Sequence, residues 1–284
     1  MRYFPLEPGI VPPLDSVLAK WKAQVEENRA QVDRVRPGPE REDFYAPVAQ
    51  AFRADPRRRD DQTLEVLRSL LRPDDVLLDI GAGGGRYALP LALACRQVVA
   101  IEPSPSMRAV LEEGMREHQI TNVTVVPSAW PMDDPPRGDV ALMSHVGYDI
   151  EEIGAFLEAA ERAARRLCVA VFAAVAPSDL FAPLWEPVHG EPRARLPALP
   201  EFLVLLLAKG ALPEVRMTER EPVGFPDFET ARSTARMRLW VQENSEADRR
   251  LEAVLREVLV ERQGRLYLDP NPLPIGVVSW APRG

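Results

Sequence analysis

The sequence predicts an α/β fold in which a doubly wound, mainly parallel sheet is covered by helices on both faces. Short apolar runs alternate with helical patterns from about Leu64 to the C-terminus. The run Val76–Ile80 contains only one polar residue, Asp79, which is typical of a strand buried on both faces. A glycine-rich turn and a helical pattern follow it, and the next apolar run ends in the carboxylate Glu102. This order is typical of half of a nucleotide-binding sheet.

The apolar runs predict seven strands, and the periodic segments predict the helices between them. The strands are expected at 76–80, 98–101, 123–126, 140–146, 167–174, 213–223 and 275–280. The main helices are expected at 14–35, from Asp43 to about 52, 63–71, after Arg86, from Pro105, and at 151–166, 199–209, 228–241 and 246–262. We divide the chain into an N-terminal helical extension or lid, 1–62, and an α/β domain, 63–284, with a helical excursion at about 224–264.

Composition excludes several classes of protein. The 284 residues include 43 acids and 35 bases, for a formal net charge of −8, and no basic surface interleaved with aromatic residues is evident, so nucleic acid is not an expected partner. The longest apolar stretches are far short of the ~20 residues that cross a bilayer, and the N-terminus has no signal-peptide pattern, so we expect a cytoplasmic protein. Cys95 and Cys168 have no partners at metal-ligand spacing, which predicts two buried free thiols and no metal site.

The glycine-rich turn distinguishes two classes of cofactor. A dinucleotide fingerprint needs a small residue at its sixth position, and counting from Gly81 places Arg86 there, which argues against a nicotinamide-dependent oxidoreductase. The other pattern, an acid followed by G-x-G-x-G, is met by Asp79, Gly81, Gly83 and Gly85. Glu102, at the end of the second strand, can accept two hydrogen bonds from a diol.

With this motif the sequence resembles the class I S-adenosylmethionine-dependent methyltransferases. The resemblance implies a Rossmann-like, seven-stranded sheet whose last strand is antiparallel. It also implies that S-adenosyl-L-methionine is the cofactor, with Glu102 on the ribose hydroxyls. Many members of the family have an aspartate for adenine after the third strand, where this chain has Ser128. The residues expected on the cofactor are Asp79, Gly81, Ala82, Gly83, Gly85, Glu102, Pro103, Ser104, Met107, Ser128, Ala129, Trp130 and His145.

Several of these positions have more than one interpretation. Met107 is equally expected as a core residue, and Asp133 and Asp134 are alternative partners for adenine. The helix at 14–35 can lie across the cofactor site or simply pack on the domain. His145 is the candidate general base, because imidazole titrates near neutrality and the segment lies at the carboxyl end of the fourth strand. Contact with the cofactor or the acceptor pocket is the other functional role open to it.

The methyl acceptor is expected to be a small molecule. Enzymes that methylate nucleic-acid amines commonly have Asn/Asp-Pro-Pro-aromatic after the fourth strand, whereas Asp134-Pro135-Pro136-Arg137 precedes that strand and lacks the aromatic residue. Tyr45, Tyr148 and His189 are candidates for the acceptor pocket. The alternatives are a protein that binds S-adenosylmethionine without catalysis, or a nicotinamide-dependent oxidoreductase. The sequence is compatible with a homodimer and does not reveal the atom methylated.

Overall fold

The structure is a computed structural model, and it describes residues 9–38, 42–46 and 48–282. Residues 1–8, 39–41 and 47 of the predicted N-terminal extension lie outside these ranges. The helices are α1 (Leu14–Val35), α2 (Gln62–Leu70), α3 (Ala88–Ala92), α4 (Pro105–His118), α5 (Ile153–Ala163), α6 (Ala182–His189), α7 (Leu199–Ala208), α8 (Phe228–Arg238) and α9 (Glu246–Val258).

Seven strands form one sheet, and two more form a hairpin. The strands are β1 (Val76–Ile80), β2 (Gln97–Ile101), β3 (Val123–Val126), β4 (Gly138–Ser144), β5 (Ala164–Ala173), β6 (Glu214–Arg220), β7 (Val260–Arg262), β8 (Arg265–Tyr267) and β9 (Leu273–Trp280). The order in the sheet is β3-β2-β1-β4-β5-β9-β6, with β9 antiparallel to both β5 and β6. The predicted Rossmann-like sheet with an antiparallel last strand is therefore confirmed.

Two apolar layers bury the sheet from opposite sides. One contains Trp21 of α1, Phe156 of α5 and Phe202 of α7, and the other contains Leu64 of α2 and Leu111 of α4. The helix α1 packs against α5 and α7, and the indole N–H of Trp21 donates to the carbonyl of Ile150 at 2.9 Å. Burying such side chains stabilises the fold by about 1.5–3 kcal/mol each.

A third apolar cluster joins α6, α8 and α9, outside the sheet. Leu184 and Trp185 of α6 pack with Ala231 of α8 and Leu251 of α9. The carboxylate of Asp248 is buried there and accepts hydrogen bonds from the guanidinium groups of Arg232 and Arg236. These bonds hold the pKa of Asp248 near 2, although burial opposes the shift.

Some predicted helices are shorter than expected or absent. The segment that begins at Asp43 forms only a 3₁₀ turn at Ala49–Phe52, because the Asp43 carboxylate bonds to the start of α4 instead of continuing a local helix. The predicted helix 246–262 ends at Val258, and a hairpin follows whose turn residues Gln263 and Gly264 both have positive φ. Residues with positive φ cannot continue a right-handed helix.

Other boundaries differ because strand pairing takes precedence over helical periodicity. The helix predicted for 151–166 covers Ile153–Ala163, since β5 already begins at Ala164, where it pairs with β4.

The fourth strand ends at Ser144 rather than Val146, because His145 has φ +55°. The helix predicted for 228–241 ends at Arg238. His189, a predicted pocket residue, is the last residue of α6.

Candidate functional site

The glycine turn joins β1 to α3 and lies beside the end of β2. The backbone N–H of Gly81 donates to the carbonyl of Ile101 at 2.8 Å, which fixes the start of the turn. Gly81 has φ +73°, and a Cβ there would come within 2.5 Å of the Val146 side chain. Gly83 has φ +54°, and a Cβ there would have no atom within 4 Å. The turn therefore presents open backbone at Gly83, where a ligand can approach closely.

Glu102 is held next to this turn by two backbone groups. Its Oε2 accepts a hydrogen bond from the N–H of Gly83, and its Oε1 accepts one from the N–H of Ser104, both at 2.8 Å. Burial raises the pKa of Glu102, while these two bonds and Arg108 oppose the rise. Each oxygen keeps a lone pair for a further donor, so the carboxylate fits the two hydroxyls of a ribose.

Asp79 is the second acid of the site and is almost completely buried in β1. Its carboxylate forms no hydrogen bond with another residue in the described part of the chain. Burial raises the pKa of Asp79 to about 7, and the charge of Glu102 adds to the rise. An acid in this state gains most from a cation placed nearby, because the cation offsets both effects.

Ser104 and Asp43 connect the start of α4 to the segment before α2. The Ser104 hydroxyl accepts from the N–H of Met107 at 3.2 Å and donates to Oδ1 of Asp43 at 2.9 Å. The N–H of Ser106 donates to Oδ2 of Asp43 at 3.0 Å, and this bond is the main cause of the lowered pKa of Asp43. The sequence interpretation missed Asp43, because only the tertiary structure brings it to α4.

The segment that Asp43 joins to α4 lies against the glycine turn. A Cβ on Gly84 would be 3.2 Å from the Cβ of Phe52. Tyr45 packs edge-on against Phe52 with ring centroids 5.7 Å apart. Burial and the nearby charges of Asp149 and Glu102 raise the pKa of the Tyr45 hydroxyl. Tyr45, a predicted pocket residue, therefore lies in the segment that packs beside the glycine turn.

The other residues expected near adenosine have contrasting environments. Met107 is buried with Ala49 and Val110, whereas Pro103 is exposed. The Ser128 hydroxyl donates to the carbonyl of Ala129 at 3.0 Å, which leaves its oxygen able to accept from an amine. The indole N–H of Trp130 donates to the carbonyl of Phe156 at 3.2 Å, so the ring is tied to α5. Asp133 and Asp134 are exposed in the following turn.

His145 lies directly after β4 and is paired with Tyr148. Its Nδ1 is 3.1 Å from the Tyr148 hydroxyl, and that hydroxyl accepts from the N–H of Ala173 at 2.8 Å. Burial lowers the pKa of His145 to about 4, and the charges of Arg220 and Arg86 lower it further. The imidazole is therefore neutral at physiological pH. Burial raises the pKa of the Tyr148 hydroxyl, so it remains protonated.

His189 lies at the end of α6, within the third apolar cluster. Its Nε2 is 2.9 Å from the carbonyl of Leu239, and its ring centroid is 4.4 Å from that of Trp185. Burial is the main cause of its lowered pKa. These contacts join α6 to the end of α8.

Arginines near the site were not identified from the sequence as functional. Arg86 is 3.1 Å from Asp61. Arg220 lies at the end of β6, where burial lowers its pKa and Tyr87 and Tyr148 oppose the shift. The strand-end rule that selected His145 would also have selected Arg220. None of the helices among the described residues combines the length and the hydropathy that a membrane span needs.

Comparison with known proteins gives a family match that includes the site. Residues 78–172 match the methyltransferase domain family. A curated relative named as a probable ribosomal RNA small subunit methyltransferase A, from Methanosphaera stadtmanae, is 28% identical over 93 residues, which cover 32% of this chain and 34% of the relative. An uncharacterized protein of Haemophilus influenzae is 31% identical over 91 residues, or 31% of this chain and 33% of that protein. The matches thus span about a third of the curated relatives' length.

Solved structures share the fold at low sequence identity. The YcgJ protein from Bacillus subtilis has a TM-score of 0.56 and 14% identity, and the match covers 78% of this chain and 98% of that one. A protein of Bacillus halodurans described as a methyltransferase has a TM-score of 0.54 and 16% identity, with the same coverage. The glycine turn, Asp79 and Glu102 all lie within the matched residues 78–172. Residues 78–172 therefore correspond to a methyltransferase domain, within a sheet that has the fold of the class I S-adenosylmethionine-dependent methyltransferases.

Proposed function

We propose that this protein transfers the methyl group of S-adenosylmethionine to a small-molecule acceptor. The observation that supports cofactor binding best is the Glu102 carboxylate, which the N–H groups of Gly83 and Ser104 orient beside the open turn. In the proposal Glu102 accepts from the ribose hydroxyls, the backbone at Gly83 contacts the methionine part, and Asp79 offsets positive charge. Ser128 accepts from the adenine amine in place of the usual aspartate.

The cofactor supplies a methyl group on a positively charged sulfur, which leaves as a neutral thioether. No acid is needed to assist that departure, so the protein mainly aligns the two reactants and excludes water. Alignment alone can lower such a barrier by several kcal/mol, up to ~7–11 kcal/mol in well-oriented systems. The segment that contains Tyr45 and Phe52 lies beside the turn, and we propose that it closes over the bound cofactor.

The role of His145 depends on which ring nitrogen bears the proton. Ala173 already donates to the Tyr148 hydroxyl, so the Tyr148 proton is free to be donated to Nδ1. The proton of a neutral imidazole is then on Nε2, and His145 offers a hydrogen-bond donor to the acceptor. A general base needs the other tautomer, with Nδ1–H donating to Tyr148. We propose the first arrangement, because it gives the Tyr148 proton an acceptor, whereas the other tautomer leaves that proton unpaired.

A small-molecule acceptor is the substrate class that the residues favour. The net charge is −8, and Asp134-Pro135-Pro136-Arg137 lies before β4 rather than after it. We propose that the apolar cluster of α6, α8 and α9, which lies outside the sheet, forms one side of the acceptor pocket. Methylation of ribosomal RNA, the activity in the name of the Methanosphaera relative, is the second candidate, because that protein matches over 93 residues.

Two measurements test the proposal. Calorimetry is expected to show micromolar binding of S-adenosylmethionine and of its demethylated product, and Asp79→Ala and Gly83→Val are expected to abolish it. Incubation of the protein with labelled cofactor and a fractionated cell extract is expected to label the small-molecule fraction with many turnovers per protein. Label in the RNA fraction would favour the second candidate. Binding without transfer would favour a non-catalytic protein, and NADH binding would favour an oxidoreductase.

The tautomer of His145 has its own test once an acceptor is known. His145→Gln retains a hydrogen-bond donor, so it is expected to keep most of kcat/KM if the imidazole only donates. A general base would instead give a loss of about 10²–10⁴-fold. Loss of that size in His145→Gln, with cofactor affinity unchanged, would assign the base role to His145.

A further inference from the structure

Arg220 occupies a strand end at the edge of the sheet that contains the site. β5 and β6 both pair antiparallel with β9, so they run parallel to each other, and their carboxyl ends lie at the same edge as the end of β4. Arg220 is the last residue of β6, level with Leu273 of β9. Ligands of open α/β sheets bind at this edge. Arg220 is therefore placed where an acceptor is expected.

The alternation of side chains places Arg220 on the sheet face covered by α2 and α3. Thr218, two residues earlier, has its hydroxyl 2.8 Å from that of Thr63 in α2, and residues i and i+2 of a strand share a face. By the same rule Ser144 shares a face with Leu142, which packs in the layer formed by α2 and α3. The Ser144 hydroxyl is buried without a hydrogen-bond partner among the described residues.

Around the Asp61 carboxylate, the positive charge exceeds the negative charge. One carboxylate, Asp61, pairs with Arg58 at 3.0 Å and Arg86 at 3.1 Å, and it also accepts from the N–H of Leu64 at 3.0 Å. Arg220 makes no ion pair or side-chain hydrogen bond with any residue in the described part of the chain. Its sequence neighbours Glu219 and Glu221 are exposed.

The environment of Arg220 is unfavourable for an unpaired cation. The side chain is half-buried, and its pKa is lowered first by burial and then by the charge of Arg86. The positive charges of Arg220 and Arg86 also contribute to the lowered pKa of His145. A desolvated guanidinium without a counter-charge is costly, whereas a bound anion would satisfy both the charge and the free donors.

The distance across the sheet separates Arg220 from the expected cofactor site. Neighbouring strands are about 4.8 Å apart, so β6 is about 14 Å from β4 and about 19 Å from β1. In the order of the sheet, Arg220 on β6 is therefore on the opposite side of β4 from Glu102, which follows β2. This is the side from which an acceptor would face His145.

We propose that Arg220, together with Arg86 and the Ser144 hydroxyl, binds a carboxylate or phosphate on the methyl acceptor, so that the acceptor is an anion. The planar guanidinium offers two parallel N–H groups, a geometry that matches both kinds of anion. This inference rests on the proposed function, since it identifies the acceptor class for the same site.

The test uses the full chain with saturating demethylated cofactor, so that the cofactor's own carboxylate site is filled. Acetate, benzoate and inorganic phosphate are titrated, with acetamide and benzamide as neutral counterparts, and the arginine Nε–Hε resonances are followed by NMR. We expect saturable shifts at Arg220 with the anions only. Arg220→Gln is expected to weaken anion binding at least tenfold. Arg220→Lys retains the charge without the planar guanidinium, so it is expected to weaken anion binding less. Arg216→Gln, on the same face of β6, is the matched control and is expected to bind normally.

The outcomes separate this inference from the proposed function. Absence of anion binding, or equal binding by Arg220→Gln, would overturn the inference. Anion binding that occurs only without the demethylated cofactor, and competes with it, would assign the arginines to the cofactor's carboxylate and would also overturn the inference. If the cofactor itself does not bind, the proposed function fails, and the titration without cofactor still tests Arg220. A preference for phosphate over acetate and benzoate would identify the kind of anion.

Discussion

The imidazole of His145 and the hydroxyl of Tyr148 form a partly buried pair, with Nδ1 3.1 Å from the hydroxyl oxygen, and the N–H of Ala173 donates to the same oxygen at 2.8 Å. This pair joins the end of β4 to the end of β5. Tyr148→Phe would leave Nδ1 and the N–H of Ala173 without a partner. We expect it to lower the free energy of unfolding by about 1–3 kcal/mol. Urea denaturation measures the change, with Tyr45→Phe as a control expected to unfold like wild type.

The depressed pKa of His145 predicts a loss of stability in acid. The folded pKa is about 4, below the ordinary value of 6.5, so the unfolded chain binds the proton more tightly. Stability attributable to His145 is expected to fall as pH drops from about 6.5 to 4, by at most about 3 kcal/mol. Denaturation of wild type and His145→Asn across this range measures it, since asparagine tolerates the φ of +55° at this position. Parallel pH curves for the two proteins would contradict the prediction.

The raised pKa of Asp79 predicts that cofactor affinity depends on pH. Because its pKa is raised to about 7, the free protein holds a proton there that a nearby cation would displace. We expect S-adenosylmethionine to bind more tightly as pH rises from about 6 to 8, by up to about tenfold per unit below the pKa. Asp79→Asn is expected to remove the dependence, and the demethylated cofactor, which lacks the sulfonium charge, to show less of it. Calorimetry in buffers of different ionisation enthalpy would detect the released proton.

The glycines of the turn are expected to respond differently to the same substitution. A Cβ at Gly85 would lie 2.5 Å from a methyl of Leu111, and φ there is +83°, so Gly85→Ala should destabilise the fold by several kcal/mol. A Cβ at Gly83 meets no atom within 4 Å, so Gly83→Ala should cost only about 1–2 kcal/mol for its backbone conformation. Its main effect is expected on cofactor affinity. Thermal unfolding and calorimetry on both variants distinguish the two cases.

The hydrogen bonds of Asp43 predict that this residue slows dissociation of the cofactor. Its carboxylate accepts from Ser104 and from the N–H of Ser106, and so holds the segment that contains Tyr45 and Phe52 beside the turn. Asp43→Ala is expected to speed dissociation of the demethylated cofactor and to increase amide exchange at residues 49–52. Asp55→Ala, which removes an exposed acid outside this contact, is the control. Unchanged dissociation in Asp43→Ala would show that the segment does not retain the cofactor.

Much of the fold could be predicted because the buried strands have few polar residues. The runs 76–80 and 123–126 are strands with the predicted ends, and α1 has the predicted ends as well. Predictions failed where long-range contacts decide the local conformation. Helical periodicity at 43–52 and 259–262 is overridden by the bonds of Asp43 to α4 and by pairing of β7 with β8.

Spacing along the chain is enough to predict the sheet, the order of its elements and the acids beside the glycine turn, because a βαβ unit brings those residues together in any such fold. The pairing of the remaining polar groups depends on the packing of distant segments. That packing joins Asp43 to α4, His145 to Tyr148, and two arginines to the single carboxylate of Asp61, while Arg220 keeps no acidic partner among the described residues. Because these groups are far apart in the chain, no local pattern encodes which charges neutralise one another.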